Sequence, residues 1–269
     1  MTLPRIGVFD SGVGGLTVLK AMAGQLPAHY FYFGDTARLP YGTKSAETVA
    51  RYAIGASRFL QGQNIDLLVI ACNTATALAL PLIEQSAKVP VVGVVEPGAA
   101  MAAEVSRNRA AIVIATEATV SSHAYRDALR RHGLAAYEKA CPLLVPLVEE
   151  GWIEHPVTEQ VAGIYLTEAM AQASSQADVL VLACTHYPLI SPLLRRLVPQ
   201  TMKIVDSAES TARAVQKLIG DTNQDAAESQ GDHRSFRFFV TDSVEKFKRL
   251  ATGFLGRQVD NVEHVDLRE

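Results

Sequence analysis

Cys72 and Cys184 stand 112 positions apart in matching settings. The first ends the run DLLVIAC from Asp66 and leads into Asn73-Thr74; the second ends DVLVLAC from Asp178 and leads into Thr185-His186. A thiolate is both nucleophile and base, but a free thiol with a pKa near 8.5 is only about 3% ionised at neutral pH, so an acid–base cysteine needs a helper. Asp10, His186 and Glu149, the first of two adjacent glutamates in PLVEE, are the candidates. Two equivalent thiols on opposite sides of one carbon could invert its configuration. One removes a proton, the other returns one, and the reverse reaction exchanges their roles. Other readings of the two cysteines are small buried hydrophobes or a redox pair. The C-x-x-C spacing of a common cytosolic redox pair is absent, as are paired-histidine spacings, which argues against a zinc site. Cys141, between Ala140 and Pro142, lacks this context and reads as structural.

The elements that must carry these groups alternate as strand, loop and helix. Strands are expected at Arg5–Phe9, His29–Phe33, Asp66–Ala71, Val91–Val95, Ala110–Ala115, Asp178–Ala183, Lys203–Val205 and Phe236–Val240. Helical periodicity marks Leu16–Gln25 and Ser45–Gln63, and Asp242 with Glu245 reads as a capping pair for a late helix. Continuous apolar strands alternating with helices imply an α/β fold with mainly parallel sheets. The repeat goes beyond the cysteines: Asp66–Ala79 resembles Asp178–Ser191, and more faintly Ile6–Thr17 resembles Ile112–Ser122. Two pseudo-symmetric α/β halves follow, with ligand bound in the cleft beyond the carboxyl ends of their strands. Asp221–His233, polar and without core residues, reads as an exposed loop.

Composition sets the frame. At roughly 150 residues per domain, 269 residues make one large or two modest domains. The chain is 48% apolar and 20% charged, with a net charge of −3, and it lacks the basic excess of a nucleic-acid or anionic-membrane binder. No apolar run reaches the roughly 18 residues of a spanning helix, and MTLPRIGVFDSG lacks signal-peptide features. A cytoplasmic protein with reduced thiols is expected.

The segment Asp10-Ser11-Gly12-Val13-Gly14-Gly15-Leu16 follows a strand and opens a helix, as a dinucleotide-binding turn does, with Asp35 about where a ribose-binding acid would stand. Three details weaken that reading. Thr17 occupies the place of the third glycine, no Walker lysine is present, and Asp10 would put a negative charge beside a pyrophosphate. The backbone N–H groups could instead hold one small carboxylate. Tyr41-Gly42 could offer a hydroxyl and a close backbone approach, or be an ordinary surface loop; Thr116 and Thr119 could bind ligand or cap a helix; His123 reads as a helix-surface residue.

Taken together, DSGVGGL at 10–16, GDTARLPYG at 34–42, ACNTA at 71–75, GVVEPG at 93–98, CPLLVPLVEEG at 141–151 and ACTHYPL at 183–189 resemble the glutamate racemases of the aspartate/glutamate racemase superfamily. Ala115 and Ala183 depart from glycines usual there. The resemblance implies cofactor-independent, metal-free interconversion of L- and D-glutamate by two-base proton transfer, supplying D-glutamate for peptidoglycan synthesis. It implies Cys72 as the base for D-glutamate and Cys184 for L-glutamate, with Asp10, Glu149 and His186 assisting. Asp10, Ser11, Tyr41, Gly42, Asn73, Thr74, Thr116, Thr119, Thr185 and His186 match substrate-binding positions. It implies two α/β domains, 1–96 with 207–269 and 97–206, and a homodimer. With nine residues before Asp10, the N-terminal extension seen in members activated by a peptidoglycan precursor is not expected. DNA gyrase binding, known for some relatives, has no counterpart in this acidic chain. Racemisation of aspartate shares the two thiols, and a nucleotide-dependent oxidoreductase is the rival from another class.

Overall fold

The computed structural model describes residues 3–174, 176–220 and 234–267; the polar run 221–233 lies outside the described residues. The strands are β1 (Arg5–Asp10), β2 (His29–Gly34), β3 (Leu67–Ile70), β4 (Val91–Gly93), β5 (Ala110–Ala115), β6 (Ala135–Ala140), β7 (Val179–Ala183), β8 (Lys203–Asp206), β9 (Ser235–Val240) and β10 (Val262–His264). Between them run α1 (Leu16–Gln25), α2 (Ala46–Gln61), α3 (Asn73–Ser86), α4 (Val95–Val105), α5 (Glu117–Ser122), α6 (Ala124–Arg131), α7 (Leu144–Glu149), α8 (Pro156–Gln172), α9 (Ser191–Leu197), α10 (Ser207–Gly220) and α11 (Val244–Leu255).

The strands form two sheets. The first has the order β10-β9-β2-β1-β3-β4 and the second β6-β5-β7-β8. Every pairing among the described residues is parallel. The core of the first sheet, β2-β1-β3-β4, repeats as β6-β5-β7-β8, so β3 and β7 occupy the same place in their sheets. All residues of β3, β5 and β7 are buried, which is why their sequences are uninterrupted apolar runs. Ile6, Val8 and Phe9 of β1 are likewise fully buried, each contributing roughly 1.5–3 kcal/mol relative to exposure.

The aspartates that open the two repeats have matching structural duties. Asp66 Oδ2 accepts the Arg5 N–H at 2.8 Å, just where β1 begins. Asp178 accepts the Arg107 and Asn108 N–H groups at 2.6 and 3.0 Å and the Ser106 hydroxyl at 2.7 Å, in the loop that enters β5. Each carboxylate thus ties the start of one strand to its neighbour and sets the register that brings the cysteine ends level. Helix α10 packs against α1 of the first half and α4, which lies on the second sheet, so it bridges the two.

Four expectations need correction. The strand expected at Val91–Val95 stops at Gly93, because Val95 already starts α4. Strands β6 and β10 lie at sheet edges with partly exposed, mixed residues such as AAYEKA, and leave no apolar run to read. The Asp242–Glu245 capping pair does not form: Ser243 is the N-cap of α11 in the left-handed region with no side-chain cap, and Asp242 Oδ1 accepts the Ser243 N–H instead. His123 is not on a helix face but at the joint between α5 and α6, with φ 56° and Nδ1 2.9 Å from Glu138 Oε2.

Candidate active site

Both cysteines emerge at the carboxyl edge of their sheets. Cys72 is the N-cap of α3: its Sγ accepts the Ala75 N–H and donates to Ser11 Oγ, each at 3.4 Å. Cys184 precedes a short 3-10 turn at Tyr187–Ile190, whose first N–H bonds back to the Cys184 carbonyl. Each is 5% exposed, and both line one cavity of about 400 Å³. Ser11, Tyr41, Gly42, Asn73, Thr74, Thr116, Glu149, Thr185 and His186 line it too. A cavity of about 470 Å³ at the opposite edge of the second sheet has no thiol or imidazole in its wall.

The two thiols have unlike neighbours. On the Cys184 side, His186 Nδ1 lies 3.9 Å from Sγ and Nε2 lies 3.1 Å from Glu149 Oε1. Burial by itself lowers the imidazole pKa, but the hydrogen bonds to Cys184 and Glu149 outweigh it and push it up to about 10. Burial raises Glu149, and the bond to His186 outweighs that in turn and holds the carboxyl below its usual value. Both shifts favour an imidazolium paired with a carboxylate, and the imidazole stands between the thiol and Glu149. On the Cys72 side, burial first and the nearby Asp10 charge second push the thiol up to about 12. Asp10 is itself raised, chiefly by burial. Its Oδ2 accepts the Gly12 N–H at 2.9 Å, while Oδ1 is buried without a protein partner.

Hydroxyls bridge the cleft. Thr74, at the start of α3, lies 2.9 Å from Thr116 Oγ1 and 3.3 Å from Thr119 Oγ1, and Thr116 and Thr119 are 2.9 Å apart. Helix α3 begins at Asn73-Thr74 beside them, and the amino end of a helix is a favourable place for a carboxylate. Asn73 is locked in orientation: its amide donates to Ser207 Oγ at 3.1 Å and its carbonyl accepts the Tyr125 hydroxyl at 2.7 Å. Gly42 allows a close approach across the cleft, since a Cβ there would sit tightly, 3.0 Å from that of Thr116.

Of the residues singled out from sequence, Asp10 and Thr119 do not reach the cavity wall; they stand behind Ser11 and Thr116. The Tyr41 hydroxyl donates its proton to Asp35 Oδ2 at 2.6 Å, so it has none to give a ligand. Asp35 is fully buried and also accepts the Thr241 hydroxyl at 2.8 Å, so it is not a ribose-binding acid. The glycines of the DSGVGG turn face protein: a Cβ on Gly14 would strike Thr185 and His186, and one on Gly15 would strike Asp10. Gly14 and Gly15 are thus packed against protein and do not present their backbone to a pyrophosphate. Cys141 is buried, with its carbonyl accepting the Tyr187 hydroxyl at 3.0 Å. Sequence reasoning passed over Pro142, Val145, Pro146 and Glu150 in the wall. The spacing of Val145 and Pro146 before Glu149, four and three residues, places them on one face of α7 and was the available signal. Among the described residues, no group of three or more His, Cys, Asp or Glu side chains is arranged to hold a metal ion.

The Asp/Glu/hydantoin racemase family model matches residues 6–215. A glutamate racemase of Koribacter versatilis is 61% identical over 98% of this chain and 98% of its own. Among solved structures, a glutamate racemase isoform of Bacillus anthracis superposes with a TM-score of 0.88 at 34% identity, covering 98% of both chains. The Francisella tularensis glutamate racemase, solved in complex with D-glutamate, gives 0.87 at 32% identity over 99% of both.

Proposed function

Because this chain belongs to the Asp/Glu/hydantoin racemase family and is an isomerase of its glutamate racemase branch, we propose that it inverts Cα of glutamate by proton transfer between Cys72 and Cys184. The observation that carries the reading is the equivalence of the two thiols: each follows the corresponding strand of a repeated sheet, and both face one cavity.

With D-glutamate bound, Cys72 takes the Cα proton on one face and Cys184 returns one on the other; with L-glutamate the roles exchange. His186 and Glu149 serve Cys184, and Asp10 serves Cys72. The incoming α-ammonium sets a positive charge near Asp10, which stands behind Ser11 and whose Oδ1 has no protein partner. That charge offsets the burial and the repulsion that hold the Cys72 thiol protonated. Ser11, Asn73, Thr74, Thr185 and the backbone at Tyr41-Gly42 orient the substrate. One carboxylate is received by the Thr74–Thr116 hydroxyls, backed by Thr119, and by the amino end of α3. No cofactor or metal enters this scheme.

The wider reading follows the same lines: two domains, 1–96 with 207–269 and 97–206, closing on the substrate; a homodimer in the cytoplasm; and D-glutamate passed to peptidoglycan synthesis. Among the described residues no helix is long and apolar enough to cross a membrane.

The test is circular dichroism of L- and D-glutamate incubated in D₂O with metal-free protein, followed by mass analysis. Both signals should decay, with deuterium entering at Cα of the product. Cys72→Ser and Cys184→Ser should each cut racemisation by at least the roughly 10²–10⁴-fold that one acid–base group supplies. Product that keeps the substrate hydrogen would point to a single base and overturn the two-thiol scheme. Decay with aspartate but not glutamate would move the substrate assignment.

A further inference from the structure

The groups that back His186 come from the other half of the molecule. We infer that Thr17 of α1 and Phe254 of α11, both on first-sheet elements, are positioning residues for the Thr185–His186 pair, so that the Cys184 arm is complete only while the two halves are docked. The inference rests on the two-thiol reading above.

His186 is loosely held by its polar partners. Nδ1 is 3.9 Å from Cys184 Sγ and 3.5 Å from Thr185 Oγ1, and only the bond to Glu149, at 3.1 Å, is of ordinary length. One good bond leaves a ring free to pivot. The remaining constraint is packing. Phe254, itself buried, meets the imidazole edge to face with ring centroids 5.3 Å apart at 86°. The backbone at Gly14 touches the same ring, for a Cβ there would lie 2.6 Å from both Cε1 and Nδ1. Thr17 ties this loop to the strand end of the second sheet: its hydroxyl lies 2.9 Å from the Gly14 carbonyl and 2.9 Å from the Thr185 carbonyl, 168 residues away. Thr17 is the residue that breaks the dinucleotide pattern, and this bond gives it a duty that glycine could not perform. Cys72 has different neighbours, Ser11 and Ala75, so the arrangement serves one thiol.

The consequence is one-sided. If the imidazole pivots, proton movement between Cα and Cys184 slows while movement at Cys72 does not. The enantiomers have equal free energy, so kcat/KM must fall by the same factor in both directions. The asymmetry shows only in the primary isotope effects. With L-[2-²H]glutamate the labelled bond is broken at Cys184, and with D-[2-²H]glutamate at Cys72.

Thr17→Val, Thr17→Ser and Phe254→Leu are to be made in the full chain and assayed in both directions with labelled and unlabelled substrate. Thr17→Val and Phe254→Leu should lower kcat/KM about tenfold, within the roughly 10²-fold that a 1 Å misplacement can cost. The isotope effect on L-glutamate should rise and that on D-glutamate fall, with Thr17→Ser restoring the native pattern. Phe254→Met, which removes the ring but fills the space adaptably, replaces Phe254→Leu should that variant not fold. A loss of rate with both isotope effects in their native ratio, or a Thr17→Ser as impaired as Thr17→Val, would overturn the inference alone. If native product formed in D₂O retains the substrate hydrogen, the two-thiol reading falls and takes this inference with it.

Discussion

Glu149→Gln removes one charge from the Cys184 arm while keeping the side chain's shape. In the native protein the imidazole of His186 is pushed from 6.5 up to about 10, against the lowering effect of burial, by hydrogen bonds to Cys184 and Glu149. At about 1.4 kcal/mol per pH unit, that rise is a net gain on the order of 5 kcal/mol after the opposing effect of burial. An opposite charge in contact accounts for roughly 1–3 units of such a shift. In the Glu149→Gln variant His186 should therefore titrate at least about one unit lower. The sign of the linkage is fixed. A histidine whose folded pKa is raised stabilises the fold fully below its unfolded value of 6.5 and loses that contribution as pH climbs through about 10. Native stability should thus decline across that alkaline window, and the variant should show a smaller decline that ends at lower pH. Carbon-13 histidine NMR, with His186→Asn for assignment, reads the titration; urea midpoints across the same window read the linkage. Racemisation should fall equally from L- and D-glutamate. An unmoved His186 titration, or parallel stability curves for the two proteins, would refute the electrostatic account of this arm.

Gly14→Ala would place a Cβ 2.2 Å from Thr185 Oγ1 and 2.6 Å from His186; the overpacking should cost about 1–3 kcal/mol and racemisation together, so native Tm and kcat/KM would contradict the packing argument. Gly163→Ala, inside α8 with nothing within 4 Å of the added carbon, should gain about 0.5–1 kcal/mol and leave activity alone; a lower melting temperature would count against it. Tyr41→Phe strips a donor from the buried Asp35 and should cost about 1–3 kcal/mol with KM unchanged, because that hydroxyl faces the protein. A large KM increase at native stability would mean the hydroxyl serves the substrate after all.

Much of the architecture was legible because β3, β5 and β7 are buried on both faces, and burial writes itself as an apolar run. Edge strands are not held to this: β4 and β8 kept short apolar runs, whereas the mixed, partly exposed β6 and β10 left no trace. The Asp-to-Cys repeat, the level ends of β3 and β7 and the placing of Cys72 as a helix cap are consequences of local pattern and short connections. The duties of single side chains were not legible in this way. Adjacent glutamates look alike in sequence, and only the turn of α7 puts Glu149 against His186. Tyr41 reads as a ligand hydroxyl until Asp35 is seen to take it. Thr17 shows in the sequence only as a break in a glycine pattern and Phe254 not at all, yet both meet the Thr185–His186 pair from elements distant in the chain. Strand, turn and cap preferences act between chain neighbours and so can be read along the chain. Proton paths depend on contacts of roughly 3–4 Å through space, and which residues come that close is decided only when the two sheets pack.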